Sequence, residues 1–407
     1  MTTSIPVGEL AAYADVVLRC GVDIAEGQKL LLIGRLDHQD LISALAERAY
    51  AQGAGVAHAV YLDDRVWNAQ AAGAPSYELA TELAPWHREM WDRVANENWA
   101  VIMTCGGPTL PAPEGADPRR AVDLRLAFHD LRRSAWLSSA NAFSVCAAPS
   151  PHWAEAVYGE PDEARLWRDL RVMLRLDEPD PVAAWTAHVE ALAARCRQLD
   201  AAGFVAIHFE GGGTDLRVPL HPWAAWGSAL MRGRSGRQMI INIPTEEVAA
   251  TPDFRGVEGV AVATRPTSID ARPVEGLVLR FEAGRIVEVQ ADANADAVRA
   301  QIATDAGACH LGEVALVDGS SGLARLGRVF YDQLIDENAA CHIAWGNSYP
   351  EPKEMGTERD PADCEARGVN LSAVHQDMMI GGPLVQALGV TADGEETPII
   401  LHDQWQL

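Results

Sequence analysis

In its first half the chain alternates between short apolar runs and segments whose apolar residues recur every three or four positions. Residues 8 to 24 place Leu10, Tyr13, Ala14, Val17 and Leu18 at that spacing and stop near Gly21, which predicts a helix. The run QKLLLIG (28–34) follows, then a helical segment from about Asp40 to Gln52, a stop at Gly53 and the run VAHAVYL. TELAPWHREMWDRV reads as a helix, WAVIMTC (99–105) as a strand, and PTLPAPEGADP (108–118) as a proline-rich surface loop. A basic helix containing DLRLAFHDLRRS then leads to the strand-like FSVCAA. Strands alternating with helices predict a parallel sheet with right-handed crossovers.

Helical periodicity runs from Glu163 to about Leu199, interrupted at LDEPDPVAAW, where Pro179 and Pro181 break one helix or start another. Beyond that point the pattern turns to strands: GFVAIHFEGGGTDLRVPL, MIINIP, VEGVAVATRP and VEGLVLRFEAGRIVEVQA. In the last of these, two alternating runs flank Glu282-Ala283-Gly284-Arg285, a hairpin signal with glycine at the turn. A chain of 407 residues is long for a single core. The expected organisation is an amino-terminal α/β domain with a parallel sheet over residues 1–198 and a strand-rich α+β domain over 199–407 that carries the metal-binding and catalytic residues.

The charge balance narrows the partners. Fifty-seven acidic against 33 basic side chains give a net charge of −24, which repels phosphate backbones and anionic membrane surfaces and argues against nucleic-acid binding. No G-x-G-x-x-G follows a strand and no G-x-x-x-x-G-K-[ST] occurs, so no nucleotide site is expected. The terminus MTTSIPVGEL lacks a basic stretch ahead of an apolar core, and no uninterrupted apolar run reaches the roughly 18 residues of a membrane span. The seven cysteines are widely spaced with no C-x-x-C pair, as expected of reduced thiols buried as small hydrophobes in a cytoplasmic protein.

The candidate chemistry lies in the second half. LIDENAACHIAWGNSYP packs carboxylates, His342 and Tyr349 into one segment. Glu246-Glu247 follows MIINIPT, Glu313 sits in HLGEVALV, and His375 and Asp377 form an H-x-D. Residues two apart on a strand face one side, so His375 and Asp377 can aim at one point, either as metal ligands or as an ion pair. A carboxylate at Glu313, bordering a hydrophobic strand, calls for a compensating cation or ion pair. Adjacent residues cannot both point inward from a regular strand, so at most one of Glu246 and Glu247 is a ligand. Glu337 and His342 are five apart and share a site only if the chain bends between them; the competing reading of Asp336-Glu337 is a helix-start cap.

The segments P-T-E-E-V (244–248), T-P-D (251–253), V-E-G-V (257–260), F-E-A-G-R-I-V (281–287), D-A-G-A (305–308), L-G-E-V-A-L-V (311–317), F-Y-D-Q-L-I-D-E-N-A-A-C-H-I-A-W-G (330–346) and H-Q-D-M-M-I-G (375–381), in this order, resemble the thermophilic-type leucyl aminopeptidases, the family of aminopeptidases T and S. The resemblance implies a metal-dependent exopeptidase with two divalent ions, zinc or cobalt before manganese or magnesium, on Glu247, Glu313, His342, His375 and Asp377. It also implies Glu337 and Tyr349 as catalytic residues, short peptides as substrates, and a homodimer. Ser321-Gly322-Leu323 replaces the family's usual Ser-Pro-Ile, and Ala249-Ala250 its Phe-Thr, which touches substrate preference and not the ligand set. Two other readings stay open: a mononuclear 2-His-1-carboxylate ring-cleaving dioxygenase, and a non-catalytic binding relative.

Overall fold

The structure is a computed structural model that describes residues 5–110, 115, 117–139, 141–233, 235–269, 272–349 and 360–407. Residues 111–114 and 116 of the expected proline-rich loop lie outside the described residues. Chain contacts divide into two compact units. One holds the residues up to Trp185 together with Met231–Ile243, the other Thr186–Leu230 and the described residues from Pro244 onward.

In the first unit Lys29–Arg35 lies between Val56–Leu62 and Ala100–Cys105, with Phe143–Ala147 and Asn242–Ile243 next in order. Every pairing is parallel, as the strand–helix alternation predicts. Leu30, Leu31, Leu32 and Ile33 are all buried, because a central parallel strand is covered on both faces and has no solvent side to alternate toward. The edge strand Val56–Leu62 exposes His58 and Ala59. The segment predicted as a helix over 8–24 is an α-helix over Val7–Val16 that widens into a π turn over Val17–Gly21. Gly21 meets the sheet closely there: a Cβ would stand 2.9 Å from Ser144 Oγ.

MIINIP, read from the sequence with the second-half strands, is recruited elsewhere. Asn242–Ile243 completes the parallel sheet beside Phe143–Ala147, and Ile240 and Ile243 are buried. Periodicity reports that a run is apolar and extended, not which sheet takes it.

Besides the two-stranded antiparallel pair of Thr267–Ile269 and Arg272–Val274, the second unit contains two antiparallel sheets. The larger runs in the order Arg285–Gln290, Val278–Glu282, Glu258–Val262, Thr214–Pro219, Ala206–Gly211, Gln386–Val390, Glu396–Leu401, Gln404–Trp405. It includes the hairpin predicted around Gly284, whose turn residues Ala283 and Gly284 take φ of 46° and 78°. The smaller sheet runs Val248–Ala250, Leu311–Leu316, His342–Gly346, His375–Met379. Alternation gives it two unlike faces. Val248, Val314, Leu316, Ile343, Trp345 and Met378 enter one core cluster with Phe209, Leu279 and Phe281 of the larger sheet. His342, Ala344, Asp377 and His375 fall on the opposite face. No helix among the described residues is long and apolar enough to cross a membrane.

One irregularity decides what that second face carries. Leu311 pairs with Trp345 but Glu313 pairs with Ala344, so the register shifts by one residue at Gly312. Leu311 therefore points into the core while Glu313, two residues on, points the other way, which an unbroken strand forbids. The bulge requires glycine: a Cβ on Gly312 would lie 2.4 Å from the Asn347 carbonyl oxygen and 2.5 Å from that of Gly346. Gly312→Ala is expected to lower the unfolding free energy by about 1–3 kcal/mol in urea titrations. An unchanged midpoint would show that the bulge does not depend on this close approach.

Candidate metal centre

All seven candidate site residues lie in the second unit, and the small sheet sets where most of them point. Ala344 is paired to Glu313 on one side and to Asp377 on the other, and His342 is paired to Ala315 and Met379. Directly opposed residues share a face, so Glu313, His342, Asp377 and His375 converge across three strands. The fourth strand pairs Ala249 with Ala315. Glu247, two residues before Ala249, inherits the same face, whereas Glu246 has the opposite parity. Glu246 is buried with Oε2 3.6 Å from His188 Nε2, and its N–H donates to Asn338 Oδ1 at 2.6 Å.

The polar atoms form a continuous row. His342 Nε2 lies 3.1 Å from Glu247 Oε2 and 4.0 Å from Glu313 Oε1. The other Glu313 oxygen lies 3.6 Å from His375 Nε2, which is itself 3.6 Å from Asp377 Oδ1. Glu313 thus stands between two imidazoles, each with a second carboxylate of its own. Donor atoms of Glu247, Glu313 and His342 all lie within 4.8 Å of one another. Both rings turn Nδ1 to a backbone carbonyl, His375 to Asn347 at 2.8 Å and His342 to Ala340 at 3.2 Å. A carbonyl only accepts, so the proton sits on Nδ1 and, in the neutral ring, the Nε2 lone pair faces the carboxylates. Glu247 Oε2 and His342 Nε2 are buried without a well-directed hydrogen-bond partner. Oxygen and nitrogen donors converging in this way fit a divalent cation.

Electrostatics carry the same message. Burial pushes the Glu313 carboxyl well above its ordinary range, Glu247 and Asp377 push it further, and His342 pulls against them. Burial acts against the charged His342 ring, but Glu247, then Asp377 and Glu313, outweigh it and hold the ring up at about 9. Glu337 is raised well above its usual value by burial, then by Glu247, Asp377 and Glu313, and by a hydrogen bond with Asp377. Cys341, beside His342 in sequence, is no thiolate donor: burial lifts its thiol to about 12, and its Sγ is turned to the Val317 carbonyl oxygen at 3.4 Å.

Glu337 reaches this cluster because the chain does bend between it and His342. Glu337–Ala339 is a single 3₁₀ turn, and Ala340 then takes extended angles, φ −166° and ψ 166°. The helix-start cap is not found. Asp336 closes the short helix Gln333–Asp336, and its carboxylate accepts from the N–H of Phe330 at 2.7 Å and of Asp332 at 3.2 Å. Burial lifts Asp336 to about 7 against the pull of these donors. Tyr349 sits at the rim, 45% exposed, its ring centroid 4.6 Å from that of His375. Trp345 lies on the core face and its Nε1 donates to Gln301.

Sequence reasoning missed the residues that support this row. Asn347 orients His375 through its main-chain carbonyl, a role any residue type could fill and one that leaves no sequence signal. Asn370 is different: its side chain ties the carbonyls of Gly307, His310 and Gly346 together at 2.8, 3.3 and 2.6 Å, and a buried asparagine amid apolar neighbours is a readable signal. Gln333, whose amide donates to Asp377 Oδ2, lay inside a quoted motif but is not a ligand type.

Comparison with known proteins follows the same lines. The family described as thermophilic metalloprotease (M29) matches residues 8–405. Aminopeptidase T of Thermus aquaticus is 36% identical over 404 residues, 97% of this chain and 98% of that protein. Aminopeptidase 2 of Geobacillus stearothermophilus is 33% identical over 408 residues, 98% of this chain and 97% of that one. The solved structure of wild-type AmpT from Thermus thermophilus matches with a TM-score of 0.88 at 34% identity, covering 98% of this chain and 99% of that chain. The chain belongs to the thermophilic metalloprotease (M29) family.

Proposed function

We propose that the protein is a metal-dependent aminopeptidase that removes amino-terminal residues from short peptides at a two-cation site. The observation that carries this reading is Glu313, whose two oxygens approach His342 and His375 separately while Glu247 and Asp377 flank those rings from outside. Such a row would offer each of two ions an imidazole and a carboxylate, His342 with Glu247 and His375 with Asp377, with Glu313 placed between the two pairs. A mixed imidazole and carboxylate set does not by itself choose among zinc, cobalt, manganese and magnesium; the resemblance to aminopeptidases T and S favours zinc or cobalt. Bound divalent ions supply a Lewis acid for the scissile carbonyl and lower the pKa of a water.

The protein's own groups do the rest. Glu337 takes the proton of the attacking water and delivers it to the leaving amine. Burial raises its proton affinity first and three neighbouring carboxylates raise it further, so that second part rises and falls with the charge held among them. Tyr349, at the exposed rim against the His375 ring, donates a hydrogen bond to the oxyanion of the tetrahedral intermediate. The free α-amino group of a peptide would be held at the cation site or by a nearby carboxylate, which limits cleavage to amino termini. A ring-cleaving oxygenase would use two imidazoles and one carboxylate, leaving the remaining carboxylates with no task, and an idle binding relative would have no use for Glu337. The seven free thiols support a reducing, cytoplasmic setting, and the resemblance to aminopeptidases T and S supports a homodimer.

Metal analysis of protein purified without added metal should find about two divalent ions per chain, with leucyl-p-nitroanilide hydrolysis lost to a chelator and restored by zinc or cobalt. One iron per chain without peptidase activity would overturn the reading. Glu337→Gln should lower kcat by about 10²–10⁴-fold while metal content stays at the wild-type level; loss of metal would instead make Glu337 a ligand. His342 at about 9 and the raised Glu313 imply that the metal-free site carries protons at pH 7, which coordination must displace. Calorimetry in buffers of differing ionisation enthalpy should therefore report net proton release on metal binding at pH 7, diminishing as the pH rises through about 9. A buffer-independent heat would place the metal elsewhere.

A further inference from the structure

We infer that Gln333 is a positioning residue that fixes the orientation of the Asp377 carboxylate, so that Oδ1 faces His375 while Oδ2 is held away. The inference rests on Asp377 belonging to the cation site. Asp377 is 2% exposed and Gln333 is exposed, yet the glutamine amide reaches inward and donates to Asp377 Oδ2 and, at 3.4 Å, to the His375 carbonyl oxygen. The other oxygen, Oδ1, is left 3.6 Å from His375 Nε2. The Asp377 backbone is tied down independently: Thr267 Oγ1 donates to its carbonyl at 3.0 Å. Main chain and side chain of this one residue are thus anchored from two separate segments.

Residue type matters here. An amide N–H donates a hydrogen bond without adding positive charge, so it orients a carboxylate without competing with a cation for it; lysine or arginine at the same place would compete. Gln333 is also itself held. It opens the short helix that Asp336 closes, and the Asp336 carboxylate binds the N–H groups of Phe330 and Asp332 just ahead of it. Two residues before Phe330, Arg328 has its carbonyl bound by Arg265 Nη1 at 3.2 Å. The segment that projects Gln333 is therefore pinned before and after.

Without the amide, Asp377 retains its backbone anchor and its hydrogen bond with Glu337, but Oδ2 loses the donor that sets which oxygen faces His375. The consequence falls on one end of the row: the His375–Asp377 end loses affinity, while the Glu247–His342 end, held by other contacts, keeps its own.

The test uses full-length wild type and Gln333→Leu, each stripped of metal and reloaded with cobalt(II) under chelator competition, with the cobalt d–d absorption recorded at each equivalent. Leucine keeps the bulk and removes the donor. The expected result is that one of two cobalt equivalents weakens by about 10–100-fold and its absorption band changes. The second equivalent and the melting temperature of the metal-free protein should stay at wild-type values. Two equivalents with wild-type affinity and spectrum would overturn the assignment. So would a fall in metal-free melting temperature with both equivalents weakened together, since that describes a structural residue. Should wild type itself bind no cobalt, the cation site fails and the role of Gln333 fails with it, an outcome distinct from wild-type binding that Gln333→Leu leaves untouched. Gln333→Asn, too short to reach Asp377, should reproduce the leucine variant.

Discussion

Like charges gathered in a place where water is scarce are the constraint on which the second unit depends. At about 4 Å and an effective dielectric near 20, two carboxylates repel by about 4 kcal/mol, and here Glu247 and Glu337 converge with the strand residues Glu313 and Asp377. The fold offers two ways to relieve this. Without cations, Glu313, Glu337 and His342 hold their protons more tightly, which is what the raised values of these groups mean. With cations bound as proposed, the same side chains would ionise and their repulsion would give way to attraction to the ions. Binding and stability are then linked, because an ion that prefers the folded state adds free energy in proportion to the logarithm of its concentration over Kd.

What keeps the carboxylates together despite this repulsion is the face behind them. Val314, Leu316, Ile343, Trp345 and Met378 hold the same strands against the larger sheet through apolar burial. Each strand of the small sheet is therefore a two-sided object, anchored on one side and charged on the other. The hydrogen bonds accepted by the Asn347 and Ala340 carbonyls and donated by Thr267 and Gln333 act on this pre-set arrangement and refine angles, not positions.

How much of this was legible in the sequence depends on the period of the element concerned. The parallel sheet of the first unit, the Gly284 hairpin and the shared face of His375 and Asp377 follow from regular periods. Glu337 with His342 did not, because a 3₁₀ turn and one extended residue between them belong to neither the helical nor the strand period. Glu313 was suspected for the cost of its burial, but its direction depends on a bulge that only the register reveals. The preference for Glu247 over Glu246 came from a resemblance and has a local physical counterpart in strand parity. The return of Met231–Ile243 to the first unit could not be read, since apolar runs do not name their partners.

Ala344 gives the small sheet a further significance. Its neighbours across the two flanking hydrogen-bonded ladders are Glu313 and Asp377, so the two carboxylates are separated by two inter-strand steps. Each step is about 4.8 Å in any sheet, set by peptide hydrogen bonds and indifferent to side-chain identity. The span of the site is thus a ruler inherited from the backbone. Evolution of the surrounding loops can change which peptide is admitted without altering that length, and the methyl group of Ala344, the smallest side chain on the ruler, keeps the space between its two ends open.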